Sequence, residues 1–264
     1  MTRLRALVAK ELLDLRRNRG ALLPVAIVTL MSLALPFTVT IAIPAMTGSP
    51  LGDDSDLVRV SAVAGVHDRL TPTGLVQLFL FQQFLMMFLL IPITGAMALA
   101  AHSVVGEKQA RTLEPLLATP IATWELLISK VLGALLPTLA IAVAGLVLYF
   151  AGLVVFAEPG VAAAMATERT AILIAFVGPV AALVSLQAAI VISSRVNDPR
   201  TAQQFGVLII IPLSALLVAQ FTGAIWLSTP ALAFIGLGLV GVWILLTVFS
   251  VALFDRETIL TRWK

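Results

Sequence analysis

The residues in this chain with the most chemistry to offer stand close together. Residues 106–120 read GEKQARTLEPLLATP, yet no Asp, Glu, Lys or Arg occurs in residues 70–106 or 131–157. Within the segment, Thr112 is placed as a helix cap, and Leu113, Leu116 and Leu117 follow at the spacing of one helical face. Glu114 lies near the helix start, where the dipole favours an acid, and Pro115 is tolerated in a first turn but no deeper. Thr119 and Pro120 then restart a helix as cap and first helical residue. The pattern predicts a short, bounded helix with an apolar side and a side carrying Glu107, Lys108 and Arg111. Two roles fit it: an elbow lying on a membrane, or a surface on which another protein pushes.

Catalysis fits poorly. No G-x-x-x-x-G-K-[ST] loop occurs to cradle a phosphate. Gly236, Gly238 and Gly241 spell G-x-G-x-x-G inside an apolar run, whereas a dinucleotide site needs strand, turn and helix together. Small residues permitting close helix packing account for them better. There is no cysteine, so thiolate metal sites are excluded, and His67 and His102 fall on opposite sides of the expected membrane. We expect no catalytic, cofactor-binding or metal-ligating residue here. Asp53, Asp54 and Asp56 suit either a solvated acidic loop or a cation.

The elements that must position these residues are membrane helices. The chain has 264 residues, 60% hydrophobic and 12% charged, against roughly 25% charged in soluble domains. Residues 20–52, 70–106, 131–157, 170–194 and 205–254 carry no Asp, Glu, Lys or Arg. Since a spanning helix needs about 20 apolar residues, the last run divides in two, with Pro230 after Ser228-Thr229 as the break. Spans are expected at about 21–44, 74–101, 131–156, 170–193, 205–227 and 231–253. Six spans put both termini on one side. Fourteen Lys and Arg flank the spans there, while only Arg59, Arg69 and Arg169 lie opposite. The positive-inside rule therefore predicts both termini, the 102–130 segment and the 194–204 loop in the cytoplasm. The basic residues are explained by topology, without a nucleic-acid partner. The first apolar run begins after residue 20, so we expect no cleaved signal peptide. The outer pieces, about 45–73, 157–169 and 228–230, are too small to bury a core of their own.

The N-terminal stretch is amphipathic. Leu4, Leu7, Val8, Leu12 and Leu15 share one helical face, and Arg3, Arg5, Lys10, Asp14, Arg16 and Arg17 spread over the rest. Such a helix lies along the interface among lipid headgroups. Glu11 falls inside the apolar stripe. Either it snorkels to water, or it pairs with Lys108, Arg111, Lys130 or Arg195 and ties the helix to a gate, with Arg16 and Arg17 beside it. Polar residues within spans are scarce: Gln77, Gln82, Gln83, Ser185, Gln187 and Gln220. They serve as interhelical hydrogen bonds or as the lining of a translocation path. No ionisable residue lies mid-span, which argues against an ion-coupled carrier.

GEKQARTLEPLLATPIATWELLISK (106–130) closely resembles the signature of ABC-2 type permeases, the membrane subunits of ATP-binding-cassette transporters. AKELLDLRRNRGAL resembles that family's interfacial helix, and SSRVNDPRTAQQFG (193–206) resembles its loop before span five. Ala110-Arg111 stands where a small residue such as Gly is usual. The resemblance implies an all-α polytopic membrane protein forming one domain over 1–264. It would comprise six transmembrane helices, an interfacial helix over 1–20, and a cytoplasmic coupling helix between spans two and three. It further implies a non-catalytic exporter subunit in a prokaryotic cytoplasmic membrane. ATP and Mg2+ would be bound by a separate cytoplasmic ATPase docked on the segment from Glu107 to Pro120, and a second permease subunit would complete a homo- or heterodimer. The alternatives are an ion-coupled secondary transporter or a membrane-anchoring assembly protein without an ATPase. The cargo is not legible.

Overall fold

A computed structural model describes residues 2–17, 19–62, 70–109, 123–196, 207–222 and 224–253, with the single positions 198, 201 and 204. Among the described residues the fold is all-helical. The chain opens with α1 (Thr2–Arg17) and α2 (Arg19–Phe37), followed by a π turn over Thr38–Ala42 and α3 (Ile43–Thr47). A 3-10 turn at Leu51–Asp53 and α4 (Ser55–Ser61) lead to α5 (Pro72–Leu85). A 3-10 turn at Met86–Leu89 joins α5 to α6 (Leu90–Gln109). Then come α7 (Thr123–Phe156), α8 (Val161–Ala164) and α9 (Glu168–Ile172), and a π turn over Leu173–Val177 continues into α10 (Gly178–Arg195). The last helices are α11 (Val207–Phe221) and α12 (Thr229–Leu253).

The irregular turns have a common cause. Each of the three inside the long helices stands just before a proline: Pro44, Pro92 or Pro179. A proline supplies no N–H to the carbonyl four residues back and its ring crowds that carbonyl, so the turn opens to π or tightens to 3-10. Caps define the ends. The Thr71 hydroxyl accepts from Gly74 N (2.9 Å) with Pro72 in the first turn, and Thr167 accepts from Thr170 N (3.2 Å).

Among the described residues, five segments are long and apolar enough to span a bilayer: Leu22–Thr47, Pro72–Ser103, Ile128–Phe156, Glu168–Ser193 and Thr229–Ser250. They match five of the expected spans. The remaining one, expected over 205–227, is represented by α11, whose 15 residues leave the helix at Phe221. This corrects the break after residue 227. The six residues from 222 to 228 other than Gly223 form a non-helical link, with Ile225 N bonded to Ala219 O at 3.2 Å. At about 1.5 Å per residue, the described part of α11 covers about 22 Å.

The α5–α6 segment is the axis of the bundle. Of its most apolar window 83% is buried, against 11% for Thr229–Ser250, whose outward side chains include Phe234, Leu237, Leu245 and Val248. Tyr149 of α7 packs at the centre, fully buried, with its hydroxyl donating to Phe81 O (2.7 Å) and its ring edge-on to Phe81 and Phe88. The loop segment around α4 covers a second cluster, where Leu51, Leu57 and Val58 pack on Val76, Phe79 and Leu80. The small loops therefore add to the membrane core instead of forming one of their own. The glycine motif also resolves: Phe176 lies where a Gly236 side chain would stand, but Gly238 and Gly241 face open space. Close packing explains the first glycine and not the other two.

Candidate functional site

One end of the bundle gathers α1, the end of α6 and the start of α7. Helix α1 approaches α7 closely because Gly133 has no side chain: a Cβ there would stand 2.5 Å from Glu11 Cβ. That contact delivers the Glu11 carboxylate between two helices. Its Oε2 accepts from Ser103 Oγ at 2.7 Å, and its Oε1 lies 3.4 Å from Lys130 Nζ. Lys130 Nζ also donates to Ser103 Oγ at 3.0 Å, closing a triangle. The Lys130 side chain is 1% exposed and that of Glu11 10%, while Lys10, 3.8 Å from Glu11 Oε1, is 43% exposed. Glu11 is thus held between helices and does not snorkel. An ammonium this buried needs a carboxylate and hydrogen bonds to offset its desolvation. Ser103 was invisible to sequence reasoning, since one serine near a span end carries no signal by itself.

Gly133→Ala is expected to push α1 off α7, with overpacking costing about 1–3 kcal/mol. A fall in Tm of the detergent-purified chain would show it. An unchanged Tm would mean that α1 shifts freely.

The triangle flanks the polar segment of residues 107–120. Glu107 and Lys108 lie in the last turn of α6, with side chains outside the described set. Arg111, Thr112, Leu113, Glu114, Pro115, Leu116, Leu117, Thr119 and Pro120 lie outside the described residues, as do the side chains of Arg16 and Arg17. In the loop after α10, Asp198 Oδ2 accepts from both the amide and the hydroxyl of Thr201, each at 3.0 Å.

The span glutamines are all buried, and three helices carry them: α5, α10 and α11. Gln77 Oε1 accepts from Glu158 N (2.8 Å), and the Glu158 carboxylate in turn accepts from the Thr71 hydroxyl. Gln83 Nε2 donates to Gln220 O (3.2 Å), joining α5 to α11. Gln187 Nε2 donates to Thr247 Oγ1 (2.9 Å), joining α10 to α12. Gln82 Oε1 accepts from Arg169 Nη1 at 3.3 Å. Each of Gln77, Gln82, Gln83 and Gln187 thus has an interhelical or helix–loop partner. Gln83 Oε1, Gln187 Oε1 and both side-chain polar atoms of Gln220 have none among the described residues. Arg169, expected in an outer loop, is instead 9% exposed. Its position in the first turn of α9, one residue from Thr170 and the apolar run, was the signal available.

Asp54 caps α4, its Oδ1 accepting from Asp56 N (3.0 Å) and Leu57 N (3.1 Å). Among the described residues no group of three or more His, Asp or Glu is arranged to hold a metal.

A family model described as ABC-2 family transporter protein matches residues 5–232, from α1 into α12. The chain belongs to the ABC-2 transporter family. Among curated proteins none matches. This ABC-2 chain is accordingly a multi-pass membrane protein and a membrane subunit of an ABC transporter, a class of permease component that is generally non-catalytic. Permeases of the ABC-2 family work with an ATPase subunit, which gives the flanking position of the Glu11–Ser103–Lys130 triangle its interest.

Proposed function

We propose that this ABC-2 chain is the permease subunit of an exporter in the cytoplasmic membrane of a prokaryote. A separate cytoplasmic ATPase binds ATP and Mg2+ and docks on residues 107–120, and a second permease subunit completes the pathway. The observation carrying this reading is the triangle itself. Ser103 and Lys130 stand on the two helices that lead into and out of the polar segment, and Glu11 locks both to α1. A push on that segment would therefore move three helices together, as a lever must. A bounded apolar face at Leu113, Leu116 and Leu117 supplies an anchor for a cleft, and Glu107, Lys108, Arg111 and Glu114 supply a charged rim that orients the partner. Gln77, Gln82, Gln83, Gln187 and Gln220 sit on the helices that would enclose the pathway.

The test is reconstitution in lipid nanodiscs with purified cassette ATPases from the same genome. Binding and a several-fold rise in ATP hydrolysis are expected. Absence of both would leave the chain without a motor and overturn the reading. Orientation has its own check: a protease site fused after Lys264 should be cut only in inside-out vesicles. Cleavage on intact cells would reverse the topology.

A further inference from the structure

At the end of the bundle opposite the triangle, a guanidinium is enclosed without a matching acid among the described residues. Arg169 Nε donates to Leu227 O at 2.9 Å and Nη1 to Gln82 Oε1 at 3.3 Å, and the guanidinium lies 4.2 Å from the centre of the Trp226 ring. All three partners are neutral, and among the described residues Arg169 has no ion pair. Nη2 is buried with no hydrogen-bond partner among them. The arrangement is odd on physical grounds. A cation in the first turn of a helix opposes the dipole. An ionisable residue buried at the end of a candidate membrane span is costly to place and marks a functional candidate.

A second observation is independent of the arginine. The neighbouring glutamine Gln83 binds Gln220 O, yet among the described residues Gln83 Oε1 and both polar atoms of the fully buried Gln220 amide are also without partners. Buried donors and acceptors left open cost about 1–3 kcal/mol each. Gln82, which holds Arg169, and Gln83, which holds Gln220, are consecutive on α5, so the open N–H groups of Arg169 and Gln220 and the open carbonyl oxygens of Gln83 and Gln220 fall beside one turn of that helix. The setting is aromatic: Phe79 stacks on Trp226 with an interplanar angle of 17°. Trp226 is itself partly exposed and sits in the non-helical link between α11 and α12. The indole that stacks on Arg169 is thus itself in reach of the surroundings.

We propose that this cluster binds the anionic group, phosphate or carboxylate, of an amphiphilic molecule. The guanidinium fork takes the anion, the two amides read hydroxyl or amide groups beside it, and the aromatic rings receive the adjoining apolar part. This inference rests on the reading of the chain as a transporter subunit, because it names the chemical class of the cargo. The binding test needs no ATPase, so its failure is distinguishable from failure of the motor.

The probe is dodecyl phosphate, titrated into the full chain in nanodiscs of a neutral glycolipid and followed by tryptophan fluorescence. A saturable change is expected that Trp226→Phe removes. Affinity should fall at least tenfold in Arg169→Gln and less in Arg169→Lys, which keeps the charge but loses the fork. Gln220→Leu should raise the Tm of the unliganded chain, since it removes an unpartnered amide, while weakening binding. Inorganic phosphate should compete at least a hundredfold more weakly, and dodecyl maltoside not at all. Equal competition by inorganic phosphate would mean a free-anion site and overturn the amphiphile; unaltered binding in Arg169→Lys and Gln220→Leu would overturn the site. If Asp68→Asn alone lowers the Tm and adding it to Arg169→Gln costs nothing further, Asp68 is the internal counter-ion and the proposal fails.

Discussion

Glu11→Ala is expected to destabilise the purified chain by about 3 kcal/mol, since it removes the carboxylate facing a Lys130 ammonium that is 1% exposed. Surface ion pairs contribute a few tenths of that, so the size of the loss distinguishes the two situations. Glu11→Gln should lose less, because the amide oxygen still accepts from Ser103 Oγ. The double variant Glu11→Ala/Lys130→Met should recover most of the loss, as replacing both partners of a buried pair by apolar groups is often close to neutral. The exchange Glu11→Lys/Lys130→Glu should recover only part, because the clearance above Gly133 suits a carboxylate reaching from α1 and not a longer stem. Thermal unfolding in nanodiscs measures all four. Single variants within about 0.5 kcal/mol of the wild type would show that the triangle contributes no more than an exposed pair. If it also conveys motion, the recovered double variant should remain slow in transport, since two methyl-terminated side chains pack without tying α1 to α6 and α7.

The second large effect is expected at Leu116. Leu116→Asp should abolish transport while the chain still inserts into the membrane at normal abundance. A leucine anchor filling a cleft on a partner contributes about 2 kcal/mol or more when truncated, and a carboxylate in its place must also be desolvated. That corresponds to a loss of at least thirtyfold in affinity for the ATPase. Pull-down of the ATPase, its stimulated hydrolysis and transport should fall together. Leu113→Ala and Leu117→Ala serve as neighbours on the same face, and a rim change such as Lys108→Ala should alter mainly the salt dependence of binding. Normal stimulation and transport in Leu116→Asp would remove the docking role from this segment.

Much of the architecture could be read before any coordinates. Uncharged runs longer than about 20 residues leave no alternative to membrane helices, because every backbone polar group in lipid must be satisfied within its own helix. The segments Leu22–Thr47, Pro72–Ser103, Ile128–Phe156 and Glu168–Ser193 overlap the expected spans with ends shifted by a few residues. The length of α11 was not legible. The stretch from 205 to 254 is uncharged throughout, and hydropathy alone does not register where a helix gives way to a link.

The amphipathic wheel singled out Glu11 as misplaced, and four cations stood as possible partners by composition alone. Which of them it meets is settled by packing across 119 positions of sequence, where Gly133 lets α1 approach and Lys130 points into the gap. Arg169 shows the converse. Counted along the chain it belongs to a loop, but the fold closes Gln82, Trp226 and Leu227 around it. The sequence by itself determined that this protein lives in a membrane, what its helices are made of and where its polar segment falls, because these depend on sums over neighbouring residues. Only the tertiary structure decided that α5–α6 is the axis, that Glu11 and Lys130 share a serine, and that a cation is enclosed at the far end. Those depend on which helix faces meet, and hydropathy carries no term for that.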